Sequence, residues 1–155
     1  MQGHPDVIAK LNHLLAGELT AIDQYFIHGR MCQEWGLRRL AEHFGHEMQE
    51  EQGHASLLIT RILFLEGLPT LDQRQPLKVG RTVPEILGND LGLEYRVITE
   101  LREAIALCES VRDFPTRDLL LGMLKDTEED HTFWLETQLG LIAKLGLENY
   151  LQAQL

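Results

Sequence analysis

Two Glu-x-x-His pairs, Glu51/His54 and Glu128/His131, each follow a solitary glutamate, Glu18 and Glu94, at nearly equal intervals of 33 and 34 residues. On a helix, residues three apart lie one turn apart on the same face, so each pair aims a carboxylate and an imidazole at a common point. A glutamate from a neighbouring helix completes each set, and the chain reads as two half-sites for two metal ions. Random placement of 16 Glu and 7 His in 155 residues yields about 0.7 such pairs, so the count alone decides nothing. Register decides it. All six residues fall on apolar stripes of helical period, such as Leu14, Glu18, Ile22, Tyr25 and Leu124, Glu128, His131, Leu135. Charged groups in core register are costly unless paired or bound to metal.

Singly, each of these residues reads as a surface glutamate or a histidine satisfied by a neighbour. Four carboxylates and two imidazoles together do not. Burying that many acids without a cation forces several to protonate through desolvation and mutual repulsion, and a bound dication removes the problem. The donors are hard to borderline, with no thiolate to favour zinc or iron-sulfur chemistry, so two iron or manganese ions fit best. The arrangement matches that of known di-iron carboxylate bundles.

The elements that must hold these residues are legible from period and breaks. Helical periodicity runs over Asp6 to Glu34, Gly36 to Glu66, Val83 to Val111 and Phe114 to Leu145, with a short amphipathic piece near Leu147 to Gln154. Thr82-Val83-Pro84-Glu85 is a capping box with proline in the first turn, and Gly36, Gly67-Leu68-Pro69 and Asp113-Phe114-Pro115 mark the breaks. Tight turns make the first two helices, and the last two, antiparallel hairpins. A helix of about 30 residues is roughly 45 Å long, and the connector between Glu66 and Val83 extends to roughly 50 Å, enough to cross the bundle and leave helices two and three parallel. All four glutamates then lie about 17 residues from a hairpin turn, at one height. The expected fold class is all-α: a four-helix bundle with one long crossover and a short fifth C-terminal helix, in a single domain over residues 1–155.

Composition narrows the function. The net charge of −10 and the absence of a basic run argue against nucleic acid and anionic membranes. No segment is apolar for the length of a membrane span, and Met1-Gln2-Gly3-His4-Pro5 lacks the pattern of a secretory leader, so a cytoplasmic setting is expected. Cys32 and Cys108 read as ordinary thiols. His46-Glu47 does not begin a zinc-protease motif, because its fifth position is Glu50 rather than His. His46, Glu47 and Glu50 read either as a solvated face or as a secondary acidic iron site. Tyr25 and Trp134 are near enough to the stripes to donate an electron to an oxidised centre, although packing is the default role of both.

These residues, with Asp23-Gln24-Tyr25-Phe26, Glu34-Trp35-Gly36, Arg61-Ile62-Leu63-Phe64-Leu65-Glu66-Gly67, Thr127-Glu128-Glu129-Asp130-His131 and Gly146-Leu147-Glu148-Asn149-Tyr150, make the chain resemble a bacterioferritin over nearly its full length. The resemblance implies a ferritin-like bundle assembled into a shell of 24 subunits that oxidises Fe²⁺ at an intrasubunit di-iron ferroxidase centre and stores ferric mineral. It implies two iron ions per subunit: Glu18 and His54 on one, Glu94 and His131 on the other, with Glu51 and Glu128 bridging. Tyr25 would stand beside the centre, and His46 with Glu50 would form an inner-surface iron site where the family usually has His and Asp.

One position departs from the family. The methionine that ligates haem b between two bacterioferritin subunits is replaced by Gln52, and an amide is no substitute for a thioether as a soft axial ligand. This implies a haem-poor subunit type, storing iron alone as a homo-oligomer or mixed with a haem-binding sister chain. By resemblance a small iron-sulfur ferredoxin would supply electrons for iron release. The competing functions are a di-metal peroxidase or catalase on the same bundle, and a purely structural shell subunit.

Overall fold

Polar side chains start three of the helices. His4 Nδ1 accepts from the Asp6 N–H, Thr82 Oγ1 from Glu85 N–H and Asp113 Oδ1 from Thr116 N–H, each satisfying a donor that the first helical turn leaves free. In the computed structural model, which describes all 155 residues, these starts open α1 (Pro5–Glu34), α3 (Val83–Ser110) and α4 (Phe114–Asp126). Helix α2 spans Arg38–Phe64, α4 passes through a π-helical segment, Thr127–Thr132, into α5 (Phe133–Leu145), and α6 is Leu147–Gln152. The structure thus follows the expected boundaries, except that the last long helix is interrupted at the second Glu-x-x-His pair.

Three helix ends close in the same way. Leu37 N–H bonds to Cys32 O, Gly67 N–H to Ile62 O and Asp113 N–H to Cys108 O, while the residue before each donor, Gly36, Glu66 or Arg112, takes a positive φ. This is the six-to-one closure that a left-handed residue permits after a helix. Glycine adopts that conformation freely; Glu66 and Arg112 do so at a cost.

Contacts along the helices fix their directions. The amino terminus meets the end of α2 through Gly3 N–H to Leu65 O, so α1 and α2 are antiparallel. Arg117–Glu109, Arg102–Glu128 and Tyr95–Glu136 run α3 against α4 and α5. Lys10–Glu103 and Tyr25–Glu94 run α1 against α3, leaving α2 and α3 parallel as the long crossover requires. A core of 26 buried residues, among them Leu11, Phe44, Leu58, Leu101 and Leu120, fills the space between. Burial of apolar surface of this kind is the main favourable term in folding.

The crossover, residues 65–82, has no regular structure, and its backbone is held by one polar stripe of α1. Asn12 bonds Leu68 O and Thr70 N–H, Thr20 accepts from Gln75 N–H, Gln24 from Lys78 N–H and His28 Nε2 from Gly80 N–H. These four side chains recur at helical spacing on one face. Gln24 and His28 also bond Asp90 of α3, at 2.8 and 2.9 Å, so the crossover, α1 and α3 share one buried network. Gly80 passes so close to the start of α3 that a Cβ there would stand 2.5 Å from Ile86 N.

Candidate metal centre

Glu18 and Tyr25 on α1, Glu51 and His54 on α2, Glu94 on α3 and His131 on the π-helical segment meet in the middle of the bundle, all buried. Two donor sets form there. Glu18, Glu51 and His54 offer atoms within 4.8 Å of one another, and so do Glu51, Glu94 and His131. Glu51 belongs to both sets through different oxygens. Its Oε2 lies 3.4 Å from His54 Nδ1, while its Oε1 lies 2.7 Å from His131 Nδ1. Glu18 Oε2 is 3.9 Å from His54 Nδ1, and Glu94 Oε1 is 3.5 Å from His131 Nδ1.

The second nitrogen of each imidazole is held from outside the sets. His131 Nε2 bonds Glu50 Oε2 at 2.7 Å and His54 Nε2 bonds Asp126 Oδ2 at 3.2 Å. A carboxylate only accepts, so Nε2 carries the proton in both rings and Nδ1 is the nitrogen directed at the centre. A carboxylate behind a histidine is the usual way to orient a metal ligand. Glu50 therefore serves His131 as well as lying 2.9 Å from His46, which is largely exposed.

Electrostatics fit the same reading. Burial first, then the charge of Glu51, raises Glu18 well above the ordinary carboxylate range. Burial and Glu51 likewise push Glu94 up to about 7. Burial would raise Glu51 too, but the adjacent Glu18 carboxyl and the close His131 and His54 imidazoles outweigh it and hold Glu51 low. Burial would lower His131 and His54; their carboxylate neighbours, led by Glu51, raise both instead. Tyr25 donates a 2.5 Å hydrogen bond to Glu94, and burial with that nearby charge raises its own pKa. These directions are those of a buried acid cluster that a bound cation would stabilise.

The donors suit divalent metal. Glu18 Oε2, Glu51 Oε1, His54 Nδ1 and His131 Nδ1 are buried without an aligned hydrogen-bond partner, and they converge on the two sets. Buried polar atoms are normally satisfied, so four orphans facing common points are candidate ligand atoms. All are oxygen or nitrogen, and neither buried cysteine belongs to a set.

Glu128 is the expected ligand that the structure does not bring in. It is partly exposed and pairs with Arg102 at 2.9 Å, away from both sets. The cause is local. In the π-helical segment the turn widens, so residues four apart come into line and residues three apart diverge. Thr127, His131 and Leu135 accordingly lie on one buried stripe, with Thr127 bonded to Met123 O, and Glu128 is rotated out. The interval of 34 residues after Glu94, against 33 after Glu18, is the sequence trace of that extra residue.

Asp126 escaped the sequence reading. In the antiparallel pair of α2 and α4, numbers that face one another have a nearly constant sum, and the sum for His131 and Glu50 places Asp126 opposite His54. Gln52 is exposed on α2. Tyr25, Phe44 and Trp134 form an aromatic run, the ring centroids 6.1 and 6.0 Å apart, and Trp134 stacks on His43 at 3.5 Å. Both Tyr25 and Trp134 are thus packed against neighbouring rings.

Comparison with known proteins agrees with the bundle. Residues 8–145 match the family described as Ferritin-like domain. The chain belongs to the ferritin family. It is 61% identical over 155 residues to a bacterial ferritin of Synechocystis sp., covering 100% of this chain and 99% of the relative. A bacterial ferritin of Pseudomonas aeruginosa is 57% identical, with both chains covered in full. A bacterioferritin of Mycolicibacterium paratuberculosis is 45% identical over 97% of this ferritin chain and 94% of its own. No helix of this family member is long and apolar enough to cross a membrane.

Proposed function

We propose that this ferritin stores iron and that its buried centre oxidises Fe²⁺ before storage. The observation that carries the reading is Glu51, which turns one carboxylate oxygen toward each of two donor sets, each completed by one glutamate and one Nδ1. We assign Glu18, Glu51 and His54 to one Fe²⁺ and Glu51, Glu94 and His131 to the other. Glu128, which faces Arg102, is left out of the set.

Iron is the substrate, and oxidation pairs one electron lost from each of two Fe²⁺ ions with a two-electron reduction of O₂ or peroxide. The chain supplies position and charge. Glu51 sets the separation of the ions, and Asp126 and Glu50 hold the two imidazoles with Nδ1 inward. Fe²⁺ binds the ionised carboxylates, so uptake displaces protons that the raised pKa values of Glu18 and Glu94 favour there. Tyr25 hydrogen-bonds Glu94 and orients it.

A 24-subunit shell is the assembly proposed here; kinship with bacterial ferritins and exposed apolar side chains, including Phe26, Leu63, Phe64 and Phe133, support it. Gln52 fits a shell low in haem, made of this chain alone or mixed with a haem-binding sister, and a small ferredoxin is the proposed source of electrons for release. The test adds Fe²⁺ anaerobically to the metal-free protein and then admits oxygen. Rapid ferric absorbance at two irons per subunit, lost in Glu51→Gln and followed by soluble mineral, is the expected result. Oxidation no faster than buffer would sink the ferroxidase claim. Turnover of peroxide without mineral would point to a peroxidase instead.

A further inference from the structure

Beside the two donor sets, Glu47, Glu50 and His131 bring a third group of ligand atoms within 4.8 Å of one another. His131 Nε2 lies 2.7 Å from Glu50 Oε2 and 3.1 Å from Glu47 Oε2. Glu47 is buried, and neither of its oxygens has an aligned hydrogen-bond partner. On its other side Glu47 Oε1 lies 3.1 Å from His43 Nε2, which is also buried and unpartnered. One N–H on His131 satisfies Glu50 and cannot satisfy both oxygens of Glu47 as well. A buried carboxylate that has an imidazole nitrogen 3.1 Å from each oxygen but an aligned hydrogen bond to neither is left in a costly state.

We propose that Glu47, Glu50 and His131 Nε2 form a third cation position, for a divalent first-row transition ion, which shares the His131 ring with the Glu51/Glu94 position. Calling the cation Fe²⁺ rests on the storage reading above; the position itself rests on the donors. A neutral imidazole has one lone pair, so His131 coordinates through Nδ1 or through Nε2, not both at once. Filling the third position turns the Nδ1 face into an N–H donor toward Glu51 and Glu94. The two positions are therefore coupled, and an ion in one weakens the other. This position lies deeper than the His46–Glu50 contact, since His46 is mostly exposed and Glu47 is buried.

Anaerobic titration of the metal-free protein with Co²⁺, followed by its visible absorption and by calorimetry, tests the assignment without any oxidation. The wild type is expected to take two equivalents, then a weaker third whose binding shifts the spectrum of the second. Glu47→Gln should keep the first two and lose the third, and His46→Gln should keep all three. Glu47→Asp, which shortens the arm and keeps the charge, should weaken the third step roughly tenfold and carries the test if the amide variant fails to fold. Saturation of the wild type at two, a third step indifferent to Glu47, or its loss in His46→Gln would overturn the proposal. Fewer than two equivalents in the wild type would overturn the storage centre itself.

Discussion

Glu51 is the residue on which the centre turns, because no other side chain contacts both inward-facing imidazoles within 3.5 Å. Glu51→Gln should lower the initial rate of Fe²⁺ oxidation at least about a hundredfold, whereas Glu128→Gln should stay within about twofold of wild type by stopped-flow absorbance. A pH dependence follows from the buried acids. Glu94 titrates near 7 in the fold against 4.5 unfolded, so the folded state binds its proton more tightly. Its contribution is therefore present at low pH and lost as pH rises from about 4.5 to about 7, on the order of 3 kcal/mol. Glu18 acts in the same sense, and so does His131, whose raised pKa contributes stability below the ordinary imidazole value that is lost as pH rises through its folded value. Glu51, held low, acts in the opposite sense, but only below the ordinary carboxylate value and so outside this window. Melting of the metal-free protein should fall across that window, and bound divalent metal should flatten the curve. A metal-free melting temperature that rises from pH 5 to 7 would contradict this ordering.

At the scale of elements, the π-helical segment decides which carboxylates reach the centre. Deleting Thr127 should restore regular helix and bring Glu128 into line with His131. In that background Glu128→Gln should weaken metal binding by calorimetry, although it has little effect in the natural chain. The crossover is the other element with a sharp requirement. Gly80→Ala would place a Cβ 2.5 Å from the Ile86 backbone nitrogen, and should cost on the order of 2 kcal/mol in urea unfolding with little change in the centre. Much of this organisation was legible. The periods, Thr82 and Gly36 marked the helices, and the half-height placement of the glutamates located the centre. The π segment was hidden because Glu128-x-x-His131 satisfies the α-helical rule perfectly; only the extra residue in one interval disagreed. The left-handed turns at Glu66 and Arg112 gave no glycine to read, and the bond from His28 to the crossover joins residues too far apart for local pattern to reveal.

For the whole molecule, the antiparallel hairpins bring four helices to one height, and each contributes at least one acid or imidazole to the interior. Burial in the apolar core makes these charges costly, the stability of that core and of the hydrogen-bonded crossover offsets them, and a bound metal ion would return part of that cost. Exposed apolar side chains on the outer faces call for further copies of the chain; sedimentation should show a large closed assembly, not a monomer. The most direct measurement of the central claim is anomalous scattering at the iron edge from crystals soaked anaerobically with Fe²⁺. The account predicts two peaks flanking Glu51, one beside His54 Nδ1 and one beside His131 Nδ1, with Glu128 still turned to Arg102. No peak at Glu51, or Glu128 swung inward to bridge the ions, would contradict it.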